Sequence, residues 1–344
     1  MKPKIALVGL GMAVTPHAKG LVDIVAEGKA EVVAAFAPSA ARRQKFAASF
    51  PFPLVDDFDR ILAETTITAV GILTPPNTHL ELVRRAAAAG KHILLEKPLE
   101  ISTERALELV KAAESGGVTM AVMLQHRFRP AGERLRAILR SGALGDLVSC
   151  STSIRLWRPQ AYYDEPGRGT HARDGGGVLL TQGIHTLDLM LSLAGNISEV
   201  TGYAITSPLH RMETEDMVVA SVRFANGALG VIDATTAAYP GAAERIDIAG
   251  SKGSASLAGT SLVVQLMDGT REEMGADGTA GGTGADPMAF PHDYHRAVWA
   301  DFIAAIAEKR QPRVTGREAL RVHRLIDALL AAGASGQRTH VIRD

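Results

Sequence analysis

The chain has 344 residues, with 37 Lys and Arg balanced by 37 Asp and Glu, so no net charge steers it toward nucleic acid or an acidic membrane surface. Its 46% hydrophobic and 22% charged content is ordinary for a globular protein, and its length predicts two domains. The single cysteine, Cys150, excludes an internal disulfide and cannot build a zinc site alone; with no signal-peptide or membrane-spanning run, a reducing cytoplasm is expected.

Ile5 to Val8 reads as a buried strand, followed at once by Gly9-Leu10-Gly11-Met12 and a helix from about Pro16 to Glu27. Strand, glycine turn and helix open a dinucleotide-binding βαβ unit. Gly9 permits the tight turn, and Gly11 lets the backbone approach a pyrophosphate at the helix N-terminus. The third glycine position is Val14, so the fingerprint is incomplete. The next strand, Val32 to Phe36, lacks the acid that usually holds a ribose 2′-OH. Ser39, Arg42 and Arg43 stand there instead and suit a 2′-phosphate, which favours NADP over NAD; the plainer alternative is that the arginines decorate an exposed helix over 39–49.

The strand Ala69 to Leu73 runs into Thr74-Pro75-Pro76-Asn77-Thr78-His79, a proline-stiffened loop beside the expected cofactor, and then a helix over 80–89. Next comes Ile93 to Leu95, short and uniformly apolar, ending in Glu96-Lys97-Pro98. Two charges thus stand at the carboxyl end of a buried strand, where open α/β sheets bind ligands. Pro98 restricts Lys97 to an extended backbone, so Lys97 is well placed for chemistry; an ordinary solvated Glu-Lys pair is the competing reading. A helix over 102–115 and a strand over 119–124 follow. Short apolar strands alternating with helices over about 125 residues predict a doubly wound parallel sheet.

After a helix over 131–140, strands dominate: about 146–157, 198–206, 215–224, 228–238, 244–249, 254–258 and 262–267. Asn226-Gly227 and Asp268-Gly269 are hairpin signals. This predicts a large, mostly antiparallel sheet with one face covered, and oligomerisation through the other. Gly275 to Asp286 reads as a mobile loop, and helices are expected over 292–309 and 316–333. One helix interrupts the strands, from the Gly175-Gly176-Gly177 run through His185. On that helix Thr181, His185 and Asp188 fall at i, i+4 and i+7, so they are expected on one face. His185 can exchange a proton near neutral pH, with Asp188 to orient it, although a lone histidine on such a helix is commonly structural. Trp157, Tyr163 and Arg168 suit recognition of a polar, anionic ligand or are simple loop residues, and His292, Tyr294 and His295 open the penultimate helix.

Gly9-x-Gly11 with His17, the Thr74 to His79 loop, Glu96-Lys97-Pro98, Arg127-Phe128-x-Pro130, and the triple glycine leading to His185-x-x-Asp188 together resemble the Gfo/Idh/MocA oxidoreductases. The resemblance implies an N-terminal Rossmann domain (1–126) and a C-terminal α+β domain with a large open sheet (127–344), whose last helix packs back on the first domain. It implies hydride transfer between NADP or NAD and a sugar, sugar acid or cyclitol, no metal, and a homodimer or homotetramer. Lys97 would bind the reacting oxygen and His185 would be the general acid/base. Gly9, Gly11, Met12, Ser39, Arg42, Arg43, Thr74, Pro75, Asn77, His79, Glu96 and Lys97 would line the cofactor, and Arg127, Trp157, Tyr163, Arg168, Thr181 and Asp188 the substrate. The family's usual acid four residues before the histidine is Thr181 here, which leaves room for a non-catalytic dinucleotide sensor. A glycoside hydrolase using bound NAD is a third, weaker alternative.

Overall fold

A computed structural model describes residues 2–275 and 291–342. The elements begin with β1 (Lys4–Val8), α1 (Val14–Ala26), β2 (Glu31–Phe36), α2 (Ala40–Ala47), β3 (Leu54–Val55) and α3 (Phe58–Ala63). They continue with β4 (Ala69–Ile72), α4 (His79–Ala88), β5 (His92–Leu95), α5 (Thr103–Ser115), β6 (Met120–Val122) and α6 (Pro130–Arg140). Then come β7 (Leu147–Arg155), α7 (Gln160–Tyr163), α8 (Ile184–Ala194), β8 (Ile197–Ile205), β9 (Met217–Phe224) and β10 (Leu229–Thr235). The last are β11 (Arg245–Gly250), β12 (Gly253–Ala258), β13 (Ser261–Leu266), β14 (Arg271–Met274), α9 (Asp293–Glu308), α10 (Gly316–Ser335) and β15 (Thr339–His340).

The chain divides into two compact units, one of Met1–Gln125 with Pro291–Leu320, the other of His126–Phe290 with Arg321–Asp344. The first holds a six-stranded parallel sheet in the order β3-β2-β1-β4-β5-β6. Its central strands are apolar throughout because helices cover both faces: Ile5 to Val8 and Ile93 to Leu95 are completely buried. A single cut after residue 126 does not describe this unit, because α9 returns to it. Two glycines make the room. A Cβ on Gly20 of α1 would lie 3.0 Å from the Arg296 backbone, and one on Gly71 of β4 would lie 2.7 Å from the Trp299 ring. Trp299 and Phe302 of α9 are consequently fully buried.

The second unit is built on a nine-stranded sheet, β14-β13-β12-β11-β7-β10-β9-β8-β15, antiparallel except where β10 runs parallel to β7. Strand β9 alternates as a one-sided sheet must: Val218, Ala220, Val222 and Phe224 are buried while Val219 is exposed. Helices α6 and α8 lie on the buried face. The other face leaves Tyr203, Ile205, Val219, Leu229 and Val231 exposed. The edge strands β14 and β15 go beyond the strands expected from sequence, being short and largely polar. The loop expected from Gly275 lies outside the described residues from 276 onward. Among the described residues, no helix is long and apolar enough to cross a membrane.

Candidate active site

In the first unit the loops at the carboxyl ends of β1, β4 and β5 carry the expected residues. The sheet order reverses direction between β1 and β4, the place where such sheets bind ligands. Gly9 has φ +102° and donates its N–H to the Phe36 carbonyl at 2.8 Å. A Cβ on it would lie 2.8 Å from Leu73 and Thr74, so the glycine is what lets the first turn nest against the Thr74 loop. A Cβ on Gly11 would meet nothing within 4 Å, and no side chain caps the start of α1. The Val14 amide donates to the Gly11 carbonyl at 3.3 Å, and no side chain occupies the amides after it, so the residues fit a dinucleotide pyrophosphate. Val14, at the third glycine position, is buried, whereas Met12 is exposed.

Three expected cofactor contacts are committed elsewhere. The Ser39 hydroxyl caps α2 by accepting from the Arg42 amide at 3.4 Å. Arg43 folds back, Nη1 donating to the carbonyls of Ala37 (2.6 Å) and Pro38 (3.0 Å), so it braces the turn instead of reaching for a phosphate. The Arg42 side chain is exposed and makes no hydrogen bond among the described residues. His79 is fully buried, with Nε2 2.8 Å from the Thr74 carbonyl and Nδ1 3.1 Å from those of Pro98 and Leu99; it fastens the Thr74 loop to the segment after Lys97. Burial lowers its pKa against the pull of the carbonyls. Pro75 and Asn77 are exposed, and the Thr78 hydroxyl donates to Thr74 Oγ1 at 2.7 Å.

Lys97 is half-buried at the end of β5, before a cis peptide to Pro98. The Glu96 carboxylate accepts the Lys97 amide at 2.9 Å and, through Oε1, bonds His17 Nε2 at 2.7 Å. Burial alone would push the Glu96 carboxyl up. The hydrogen bond from His17, with Lys97 and His295 near, outweighs burial and holds it at about 2. Glu96 is thus a permanent carboxylate at the base of Lys97.

The second unit carries His185, half-buried at the start of α8. The turn before it, Leu179–Gly183, is π-helical, so Thr181, His185 and Asp188 do not share the simple face that α-helical spacing predicts. Asp188 is 1% exposed and takes Arg127 in a two-pronged bond, 2.7 Å from Nε and 2.5 Å from Nη2. Both residues were expected at the substrate; the structure commits them to each other, fixing α8 to the segment before α6. The residue against His185 is instead His126, its ring stacked at 4.8 Å between centroids. The Thr181 hydroxyl donates to the Gly177 carbonyl at 2.6 Å and also contacts Gln182. The buried Glu215 carboxylate caps this helical start, accepting from Gly177 N at 3.0 Å and Leu179 N at 3.1 Å; burial raises its pKa despite these donors. A Cβ on Gly177 would lie 1.7 Å from the Glu215 carbonyl oxygen, which explains a glycine there.

Arg168 lies 4.1 Å over the Tyr162 ring and donates to its hydroxyl at 2.8 Å; Gln182 Nε2 reaches the same hydroxyl at 3.4 Å. Thr181, Gln182, Tyr162 and Arg168 therefore form one connected polar set. Tyr163 is apart from it, buried with its hydroxyl 2.7 Å from Thr236 Oγ1, and burial pushes that hydroxyl above the usual tyrosine range. Trp157 packs edge-on against Tyr239. Sequence reading missed Gln182, His126 and Glu215 as site residues; the partners of His126 and Glu215 come from remote segments.

Two family models match the chain. An oxidoreductase family with an NAD-binding Rossmann fold covers residues 3–124, and a GFO/IDH/MocA C-terminal domain covers 133–256. The chain belongs to the Gfo/Idh/MocA family. It is a nicotinamide-dependent oxidoreductase by that membership. Among relatives of this Gfo/Idh/MocA protein, an oxidoreductase of Bacillus subtilis, YrbE, is 30% identical over 59% of each chain. The 1,5-anhydro-D-fructose reductase of Ensifer adhaerens is 27% identical over 90% of this chain and 91% of the other. The crystal structure of the WlbA dehydrogenase from Bordetella pertussis with NADH and UDP-GlcNAcA is similar over 100% of both chains, with TM-score 0.84 and 26% identity.

Proposed function

We propose that this protein transfers hydride between a nicotinamide cofactor and a secondary alcohol or ketone of a sugar, sugar acid or cyclitol. Lys97, seated on the ionised Glu96, carries this reading: it is the cation standing where the substrate oxygen would gain or lose charge. When bound, the nicotinamide gives or accepts the hydride. The carbinol proton must leave as the hydride does, and return in the reverse direction. Lys97 holds the reacting oxygen, and His185 takes or supplies the proton. The polar set of Thr181, Gln182, Tyr162 and Arg168 gives the second unit donors for hydroxyl or carboxylate groups of such a substrate.

NADP is the favoured cofactor, now through Arg42 alone, because no acid follows β2 and Arg43 is engaged with backbone carbonyls. The exposed apolar face formed by Tyr203, Val219, Leu229 and Val231 supports a homo-oligomer through the nine-stranded sheet. A cytoplasmic location fits the lone, buried Cys150, whose thiol burial pushes up to about 12. The test is a polyol, aldose and sugar-acid panel read at the nicotinamide absorbance with both cofactors, alongside fluorescence titration with NADPH and NADH. Turnover of a polyol, with NADPH bound about tenfold more tightly than NADH and Arg42→Ala removing that difference, is expected. No turnover with any compound would defeat the dehydrogenase reading, and tighter NADH would defeat the cofactor preference.

A further inference from the structure

His17, in the first turn of α1, is completely buried and bonded on both ring nitrogens. Trp299 Nε1 stands 3.1 Å from His17 Nδ1, and His17 Nε2 stands 2.7 Å from Glu96 Oε1. An indole N–H is a donor and nothing else. It therefore requires a lone pair on Nδ1, which leaves the ring proton on Nε2, pointing at the carboxylate. Glu96 in turn accepts the Lys97 amide. The result is a directed chain: Trp299 donates to His17, His17 donates to Glu96, and the backbone of Lys97 donates to Glu96 from the other side.

The protein builds for this contact. Gly71 is the residue whose absent side chain admits the Trp299 ring, and Gly20 lets α9 approach α1. Trp299 is 282 positions from His17 and has no exposed surface. An apolar ring would fill the same space, so packing alone does not call for an indole nitrogen aimed at Nδ1. By residue type His17, Glu96 and His295 also form a candidate metal cluster, with ligand atoms within 4.8 Å of one another. A cation there would have to displace both bonds of His17, so the hydrogen-bonded chain is the better account of these residues.

We infer that Trp299 and His17 are positioning residues for Lys97: they fix the His17 tautomer, which holds the Glu96 carboxylate and with it the backbone from which Lys97 reaches substrate. The inference rests on the reading of Lys97 as the group that holds the reacting oxygen. The titratable groups facing this chain are His295 and His292 from α9, His79 from α4, and Lys97 itself.

Two measurements on the full-length protein test it. Long-range proton–nitrogen NMR of histidine-labelled protein should show His17 protonated at Nε2 in the wild type, and a mixture of tautomers in Trp299→Phe, which keeps the ring but removes the donor. With a polyol from the panel, Trp299→Phe should lower kcat about tenfold with KM within about twofold, because a misaligned donor is felt in the transition state. His17→Gln, whose amide can accept from Trp299 and donate to Glu96, should retain more activity than His17→Leu. An unchanged tautomer in Trp299→Phe, an unchanged kcat, or equal activity of the Gln and Leu variants overturns the inference. A panel with no active compound strikes the dehydrogenase reading instead, while the NMR measurement still decides whether Trp299 sets the tautomer.

Discussion

The turn at Lys97 and the helix at His185 are held in different ways. At Lys97 the support is a short series of single bonds, Trp299 to His17 to Glu96, each made inside the first unit. At His185 the support is distributed. Glu215 caps the helical start, a π turn re-aims the ring, His126 stacks on it, and the Arg127–Asp188 pair anchors the following turn. A serial support gives one sharply defined position, whereas a distributed one tolerates loss of a member and lets the ring adjust. That suits the proposed roles of a lysine that holds one oxygen and a histidine that moves a proton.

The contrast can be broken most directly at the two groups proposed to act on the substrate. Lys97→Ala should lower turnover by about 10³–10⁴-fold with cofactor affinity largely kept, as read by steady-state rates beside NADPH titration. His185→Ala should cost less, about 10²-fold, because the distributed site retains other donors; equal losses would erase the distinction. Next in size is Asp188→Ala, which leaves a buried guanidinium on Arg127 without its carboxylate. It should destabilise the protein by about 3–5 kcal/mol in urea unfolding, far more than Thr181→Val. A loss under 1 kcal/mol would mean that the pair is no anchor.

The sharpest test of the serial support by pH is also the smallest effect. Burial depresses the pKa of His295 to about 3, so the unfolded chain binds a proton there before the folded one does. Its contribution is intact above the ordinary histidine value of 6.5 and is lost as pH falls from there toward 3. Glu96, depressed from 4.5 to about 2, adds a second loss in the same direction below 4.5. The urea midpoint should therefore decline from pH 6.5 downward, and His295→Phe should flatten the decline between 6.5 and 4.5. A midpoint that rises with acid over that interval would contradict the burial of a neutral His295.

Both sheets could be read in the sequence, because burial on two faces writes an unbroken apolar run such as Ile5 to Val8 and burial on one face writes the alternation of Met217 to Phe224. Glu96, Lys97 and His185 stood out as charges and a histidine in otherwise apolar surroundings. What periodicity could not carry was pairing between remote residues. Nothing near Arg127 or Asp188 announces that they neutralise each other, so both looked like ligands for something else. The π turn at Leu179–Gly183 was hidden for a related reason: it depends on Glu215 accepting the amides of Gly177 and Leu179 from 38 and 36 positions away. Likewise Arg43 looked like a phosphate ligand until its reach to the Ala37 carbonyl was visible.

The return of α9 to the first unit has a consequence for how the protein is made. A ribosome adds about 5–20 residues per second, so on the order of 10–30 s separates the emergence of Gln125 from that of Pro291. Throughout that interval the nascent parallel sheet has an empty socket above Gly71 and an imidazole at His17 with no indole to orient it. The nucleotide half is thus synthesised first and finished late, and a translation stop anywhere before α9 leaves it unfinished.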